Sequence, residues 1–554
     1  MRRYGWFALA LAMTLLIAAC GVDDPEGPVD EVDETEATPG GEAEGDETEG
    51  AGEATDRPGE VDHLTVALST LGNEALDPMI SPGENEPYLR LLFDPLIGLD
   101  RTSEEVSLEA GILEDWDLSD DGMTMTLYVT EGIEFHDGSP VTAEDVQYSL
   151  QRHFEDEAAS ANVGIIQDAL GDPENVVLID DNTVELQLAQ HGASLESLLP
   201  WGSAETMVVP KDYIESVGLE EFRQNPIGSG PYKFVSQSPG SGIELERVED
   251  HYAMGTPFAE RVSILLVPEE TTRAAMLQTG EADLIDAGVE LAAELEDEGF
   301  HFNTKGLADP LAVHFPTLHR GVPPLDDVRV REALLIGANW EAIHEGLFFG
   351  LGERNISGMS RGSFGFEDRG ALEYDPDRAS ELLEEAGFEE GFPITLEAFP
   401  KPGWAMLSVA EAVASDWNAL GLETTISYRD FGSYRADWTG RSDSLADATA
   451  TLHPYSGRVN FFGLFNAWGD LFAVLDEPGE ETYHGEITAT ARNAESQEEF
   501  ERGLTEMDEW LNENYYVTGV LQLGTPLMTN DNIGVWEVGR TAHSLNLRGF
   551  LWED

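Results

Sequence analysis

The chain holds one cysteine in 554 residues, Cys20, and only four lysines, Lys211, Lys233, Lys305 and Lys401. A single cysteine excludes an intramolecular disulfide, so the core has to hold without covalent staples. The lysine shortage is part of a wider shortage of positive charge: 29 Lys and Arg stand against 109 Asp and Glu, a formal net charge of −80. Nucleic acid and anionic lipid surfaces would be repelled, which excludes both as partners. Self-repulsion costs stability where screening is weak, and the screening length is ~30 Å at 0.01 M salt against ~3 Å at 1 M. The charge therefore predicts a salty habitat outside the cell. Catalytic signatures are scarce as well. There is no His-Glu-x-x-His, no Gly-x-Gly-x-x-Gly and no cysteine nucleophile, and the 12 histidines are scattered without a pair at metal-ligand spacing. No metal and no other cofactor is expected, and the chain reads as a protein that is not an enzyme.

What is present begins with a leader. Arg2 and Arg3 form a basic head, Trp6 to Ala19 an apolar run of fourteen residues, and Ile17-Ala18-Ala19-Cys20-Gly21 a small-residue exit. These are the parts of a secretory signal, and the run is too short to span a bilayer. Its ending resembles the lipobox of bacterial lipoproteins, whose cysteine is lipidated on sulfur and becomes the mature N-terminus. That resemblance implies lipid attachment at Cys20 and a mature protein held outside the cytoplasmic membrane, at the cell surface or in the periplasm. An ordinary signal with an incidental cysteine is the alternative. Residues 21–61 follow as a tether: Gly21 to Glu60 holds sixteen Asp and Glu, one Arg and no aromatic residue. Such a segment buries too little apolar surface to offset its ordering entropy and is expected to stay disordered.

The remaining stretch is 41% hydrophobic in the whole-chain average and rich in Trp and Phe, long enough for a large core and more than one domain. Leu64-Thr65-Val66-Ala67-Leu68 alternates as a half-buried strand. Pro87 to Leu99 reads as a short helix with Leu91, Leu92, Phe93, Leu96 and Ile97 as its apolar residues. The acidic loop from Asp117 to Gly122 offers oxygen ligands, but a calcium loop counted from Asp117 places Tyr128 where a bidentate Glu is required. Asp121-Gly122 reads instead as a hairpin turn. Asp137-Gly138 makes another turn, and His136 belongs to it, since no nucleophile or second base stands nearby. Thr142 is a good N-cap with Asp145 three residues on, and Val146, Leu150 and Phe154 recur on one helical face. Gly228-Ser229-Gly230-Pro231 is a turn, too short for a phosphate loop and without its Lys-Ser/Thr ending. Asp375-Pro376 starts a helix whose buried stripe is Ala379, Leu382, Leu383 and Ala386, stopped by Gly387. Ile394 to Phe399 and Thr424 to Tyr428 read as strands around a helix from Val409 to Leu420. Phe500 to Trp510 is a last long helix and Val517 to Leu523 a strand. Alternation of this kind indicates α/β layers.

The run from Tyr88 to Phe154 resembles the signature region of the dipeptide, oligopeptide and nickel class of bacterial extracellular solute-binding proteins, family 5, the receptors of ABC importers. Asn225 to Phe234, the segment Glu269 to Asp286 with Arg273, Leu277, Gly280, Glu281 and Asp283, and Leu325 to Leu334 resemble that family in the expected order. The likeness extends over roughly residues 62 to 550. It implies a two-lobed periplasmic-binding-protein-like fold, class II and cluster C, with an extra subdomain in lobe one. Lobe one is then 62–305 plus 525–554 with the subdomain at about 95–205, lobe two is 306–524, and the chain crosses a hinge near Lys305 to Phe315 and again near Leu521 to Met528.

The resemblance also directs attention to a cleft. In many peptide-binding relatives an Asp after a lobe-two strand pairs with the peptide α-amino group. Aligned on Asn460-Phe461-Phe462, that position is Pro454 here, and no acid occurs between Asp447 and Asp470. A buried ammonium needs a charge partner, so this departure counts against classical peptide binding. His453, Tyr455 and Arg458 suit a neutral or anionic solute; packing of the lobe by the same three residues is the other reading. Trp201, His314 and Trp404 fall at loops or crossings that face the cleft in relatives, and each Trp reads equally as core or as stacking platform. The resemblance implies a monomeric receptor, joined to the membrane by its lipid only, that passes a solute to an ABC permease complex. Oligopeptide follows from family frequency, oligosaccharide or another non-cationic solute from the missing Asp. Competing classes are a secreted hydrolase and a surface adhesion protein.

Overall fold

The structure is a computed structural model that describes residues 61–535 and 547, except 82, 100–105, 108–110, 120, 161–162, 190–203, 254, 305–308, 362, 402, 440–441, 455–488, 493 and 495. The strands are β1 (Val61–Leu68), β2 (Gly98–Leu99), β3 (Val106–Ser107), β4 (Leu113–Leu118), β5 (Thr124–Val129), β6 (Val176–Asp180), β7 (Thr183–Gln187), β8 (Tyr232–Ser238) and β9 (Gly242–Arg247). They continue as β10 (Ala259–Leu266), β11 (Leu284–Asp286), β12 (His301–Thr304), β13 (Asp309–His314), β14 (Pro393–Ala398), β15 (Glu423–Tyr428), β16 (Thr449–Pro454), β17 (Val517–Leu523) and β18 (Pro526–Thr529).

They assemble into a seven-stranded sheet in the order β12-β18-β11-β1-β10-β9-β8, a five-stranded sheet β15-β14-β16-β13-β17, a four-stranded sheet β4-β5-β7-β6, and the ribbon β2-β3. The chain passes from the first sheet to the second between β12 and β13, and returns through Gly524 and Thr525 between β17 and β18. Both large sheets are mixed: β1 is parallel to β10 and β11, and β14 is parallel to β15 and β16, with antiparallel strands outside them. That is the α/β layering which the strand–helix alternation implies.

Sequence expectations and structure part company at two early elements. β1 is not half-buried: Leu64, Val66 and Leu68 enter one core, while Ala67 packs with Leu277, Ile285, Ala292 and Met528 on the other face. Helices Glu270–Thr279 and Val289–Asp297 supply apolar residues to that second face, and a strand covered on both sides loses its alternation. The helix expected to run to Leu99 is Glu86–Leu92 only, closed by Phe93 in an extended conformation. Pro95 lacks an N–H and disfavours helical geometry at Asp94, so Leu96 and Ile97 are buried outside a helix.

Elsewhere local chemistry acts as read. The β4–β5 hairpin turns at Ser119 to Gly122, with Gly122 at φ +65°. Thr142 and Asp145 form a reciprocal capping box on helix Ala143–Gln151, the Asp145 carboxylate accepting from the Thr142 N–H at 2.9 Å. Asp375 caps helix Pro376–Glu385, which buries Ala379, Leu382 and Leu383, while Ala386 falls at its C-cap. Gly228 and Gly230 press against the carbonyls that end helix Glu86–Leu92; a Cβ at either would collide with Leu92 or Leu91 backbone. His136 ties the neighbouring turn to them, its Nε2 2.8 Å from the Gly230 carbonyl, and burial pushes its imidazole down to about 4.

Two arginines of the recurrent segments are fasteners. Arg273 donates to the carbonyls of Val267, Pro268 and Asp286, and Arg331 to those of Leu325, Asp326 and Asn514 while stacking 4.8 Å over the Tyr516 ring. Each guanidinium satisfies several backbone acceptors at once, which its five rigid donors allow.

Candidate functional site

The five-stranded sheet places polar aromatic residues on one face by strand alternation. Ala312 stands opposite His453 and His314 opposite Thr451 in the antiparallel β13–β16 pair, so His314, Thr451 and His453 share a side. Helix Phe431–Thr439 lays Tyr434 and Trp438 over them, and Phe399 follows the end of β14. The rings form a box. His314 lies 5.3 Å from His453 and 5.2 Å from Trp438, Phe399 meets His453 edge-on at 5.1 Å, and Tyr434 stacks on Trp438 at 5.8 Å. The Tyr434 hydroxyl bridges His314 Nε2 at 2.8 Å and Thr451 Oγ1 at 3.0 Å.

Burial fixes the charge state of this box. His314 exposes 0% of its surface and His453 3%. Desolvation disfavours the imidazolium, pushing His314 down to about 3. It drives His453 well below the ordinary range too, helped by His314 and the Lys401 charge. Both rings are neutral at pH 7. Among the described carboxylates of these elements, three are paired with arginine: Glu397, 4% exposed, takes a two-pronged pair from Arg429 at 3.1 Å, Asp437 takes the same guanidinium at 2.6 Å, and the exposed Asp447 pairs with Arg320 at 2.8 Å.

Trp404 sits on the loop between β14 and helix Met406–Ala419, 8% exposed. Phe348 meets its ring edge-on at 5.5 Å, and the Lys401 ammonium stands 5.0 Å from the ring centroid. The same loop touches the other large sheet's layer: the Gly403 carbonyl accepts from the Val289 N–H at 3.4 Å, at the start of helix Val289–Asp297. Gly403 has φ +78°, a conformation that side chains rarely adopt, and its backbone lies close to Gly288.

Of the residues singled out from sequence, the structure brings His314 and His453 into one box and sets Trp404 on the loop beyond β14. Cys20, Trp201, Tyr455 and Arg458 lie outside the described residues. Sequence reasoning missed Phe399, Tyr434, Trp438 and Phe348, which only tertiary packing brings to the histidines and Trp404. It also passed over Gly358-Met359-Ser360-Arg361-Gly362, a Gly-x-Ser-x-Gly string. A hydrolase elbow needs a strand, a sharp turn and a helix around an exposed serine next to a base. Ser360 instead lies in irregular chain, 2% exposed, with no hydrogen-bond partner for its hydroxyl. A surface recess of about 510 Å³ on the four-stranded sheet is lined by Glu114, Tyr128, Asp180, Asp181, Asn182 and Thr183. Among the described residues no group of three or more His, Cys, Asp or Glu could hold a metal ion, and no helix is long and apolar enough to cross a membrane.

Residues 107–462 match the family of bacterial extracellular solute-binding proteins, family 5, in its middle part, and the chain belongs to that family. It is 28% identical over 378 residues to heme-binding protein A of Haemophilus influenzae, covering 63% of this chain and 66% of that one. It is 27% identical over 380 residues to the dipeptide-binding protein of Escherichia coli, covering 62% and 69%. The crystal structure of a dipeptide binding protein from Pseudoalteromonas in complex with Met-Leu superposes with a TM-score of 0.65 at 20% identity, over 88% of this chain and 99% of that one. The fold is therefore the two-lobed α/β binding-protein fold, and the named relatives are binding proteins.

Proposed function

We propose that the chain is a lipid-anchored extracytoplasmic receptor that captures a non-cationic solute between two lobes and delivers it to an ABC importer without making or breaking a bond. In this reading the seven-stranded sheet belongs to lobe one (62–305 and 525–554, with the subdomain at about 95–205) and the five-stranded sheet to lobe two (306–524). The two chain crossings between them act as the hinge. Solute shifts an open–closed equilibrium by binding the closed form better. The residues assigned to the solute are Trp201, His314, Trp404, His453, Tyr455 and Arg458; the two histidines lie beneath helix Phe431–Thr439 of the same lobe, so they meet solute only if that helix shifts. The receptor works as a monomer, contacts membrane through lipid on Cys20, and is adapted to salt.

The observation that carries the choice of solute is the charge state of the box. Its histidines are neutral, and Glu397, Asp437 and Asp447 already face arginines. An ammonium entering there would find no uncommitted carboxylate among these three, and an unpaired buried charge is costly. Acetylated or acidic peptides, oligosaccharides and related uncharged or anionic solutes fit better than free-amine peptides. A thermal-shift screen with free-amine peptides, N-acetyl peptides, oligosaccharides and nickel tests this. A solute at 100 times its Kd stabilises the folded state by about 2.7 kcal/mol, and stabilisation by free-amine peptides alone would overturn the non-cationic reading. Turnover of peptides or glycosides by purified protein would favour a hydrolase instead. For the anchor, Cys20→Ser should leave the protein in the medium or unprocessed, with solute binding unchanged in the soluble domain.

A further inference from the structure

Trp404 holds a donor that the protein leaves unused. Its indole Nε1–H is closed to solvent and meets no acceptor. Nearly all buried polar atoms in native proteins have a partner, so an orphan of this kind marks either a bound water or a group that arrives from outside. The ring is held in place around it. Phe348 packs on it at an interplanar angle of 76°, and Lys401 stands over its face. The backbone turns back so that the Trp404 N–H donates to the Lys401 carbonyl at 3.1 Å. One residue earlier, Gly403 makes the contact with Val289 that joins the two large layers. The ring is therefore fixed by its surroundings, one residue along the chain from a backbone contact between the two large layers.

Resting on the receptor reading above, we propose that Trp404 determines specificity by donating its indole N–H to an oxygen of the solute, and that this oxygen belongs to a carboxylate. A carboxylate has lone pairs for the donor and gains from a nearby ammonium, since hydrogen bonds to charged acceptors are the stronger ones. A solute ammonium has no lone pair to offer and would be repelled by Lys401. The solute class is thus an acid-bearing one, whether a peptide C-terminus or a sugar acid supplies the group.

Two matched pairs separate those sources: N-acetyl-trialanine against its C-terminal amide, and digalacturonate against its methyl ester. Titration calorimetry on the mature protein should show the acid form binding at least about tenfold more tightly in one pair, the scale of one hydrogen bond to a charged group. Trp404→Phe keeps an aromatic ring for Phe348 and Lys401 but lacks the N–H. It should weaken the acid form more than the uncharged form and so shrink the preference severalfold, the remainder being the attraction of Lys401. Should the variant fail to fold, the indole ¹H–¹⁵N resonances of the wild-type protein give a second reading: one indole proton should move downfield on adding the preferred acid and stay put with its neutral partner. No preference for an acid in either pair, a preference undiminished by Trp404→Phe, or no shifted indole proton would overturn the proposal, the last pointing to a bound water only. A solute from the broader screen that binds and closes the lobes, as seen by small-angle scattering, would leave the receptor reading standing in each case.

Discussion

Lowering the pH should drain stability through His314, and the structure sets the amount. In an unfolded chain a histidine titrates near 6.5, whereas the buried His314 ring is pushed down to about 3. The unfolded state therefore binds the proton first. Stability is full above about pH 6.5 and falls as pH drops below it, until the native ring can itself be protonated near 3. At pH 5 the loss from this one group is about 2 kcal/mol, from RT times the logarithm of the protonated excess in the unfolded chain. His136, pushed down to about 4 by burial beside Gly230, acts in the same direction with about 2 kcal/mol more. Urea unfolding of the protein at pH 7.5 and pH 5, in 1 M salt to screen the carboxylates, measures these losses together with those from His453 and His153, which burial also pushes down. His314→Gln cannot titrate. It should be less stable at pH 7.5, because the ring contacts with His453 and Trp438 are lost, yet its change between the two pH values should be about 2 kcal/mol smaller than that of the wild type. Equal pH dependence in the two proteins would refute the reasoning.

Asp77, fully buried, receives Arg152 at 2.7 Å and Arg223 at 3.0 Å; burial raises its carboxyl, and the two arginines more than reverse this. Asp77→Ala strands Arg152, 2% exposed, and should cost about 3–5 kcal/mol in urea unfolding; a loss below about 1 kcal/mol would show that water takes the carboxylate's place. Melting temperature should climb steadily from 0.05 to 2 M salt, as the self-repulsion of −80 charges is screened; a flat series removes the salt-adapted reading. Gly288→Leu adds a side chain whose Cβ would lie 3.7 Å from the Gly403 Cα and 2.9 Å from Glu270 Oε1, so the carboxylate has to move aside. Calorimetry should then find solute affinity about tenfold lower, roughly 1.4 kcal/mol, with little change in the melting temperature of the free protein. Unchanged affinity would mean that this contact is absent from the bound state.

Legibility followed the range of the physics. Caps and turns were readable because their causes sit within a few residues: Thr142 with Asp145, Asp375 with Pro376, and Asp121-Gly122 between two strands. The short helix at Tyr88 looks longer in the sequence than it is because apolar residues continue to Ile97, although Pro95 carries the stop signal. β1 was misjudged for a longer-range reason. Nothing in Leu64 to Leu68 announces that helices some 200 residues later will cover its second face. The candidate site was least legible of all. His314 and His453 could be nominated by resemblance, but their neutrality depends on Tyr434, Trp438 and Phe399, which arrive from other elements. The missing acid at Pro454 bears on solute charge only together with Glu397, Asp437 and Asp447, whose arginine partners no local pattern announces.

The seven-stranded sheet has a consequence for how the molecule comes into being. β12 finds its neighbour in β18, with His301 facing Thr529 at a separation of 228 positions, and β18 also fills the gap beside β11. Among the described strands, the last in the chain is thus interior to the sheet begun first. Closing so long a loop is slow, and a chain delivered from its N-terminus cannot complete that sheet until nearly all of it has emerged. The whole five-stranded sheet, whose members run from Asp309 to Leu523, can gather before β18 arrives. A precursor that is to be threaded through a membrane has to stay open, and in the export proposed above the strand order would delay closure of this sheet until β18 is through.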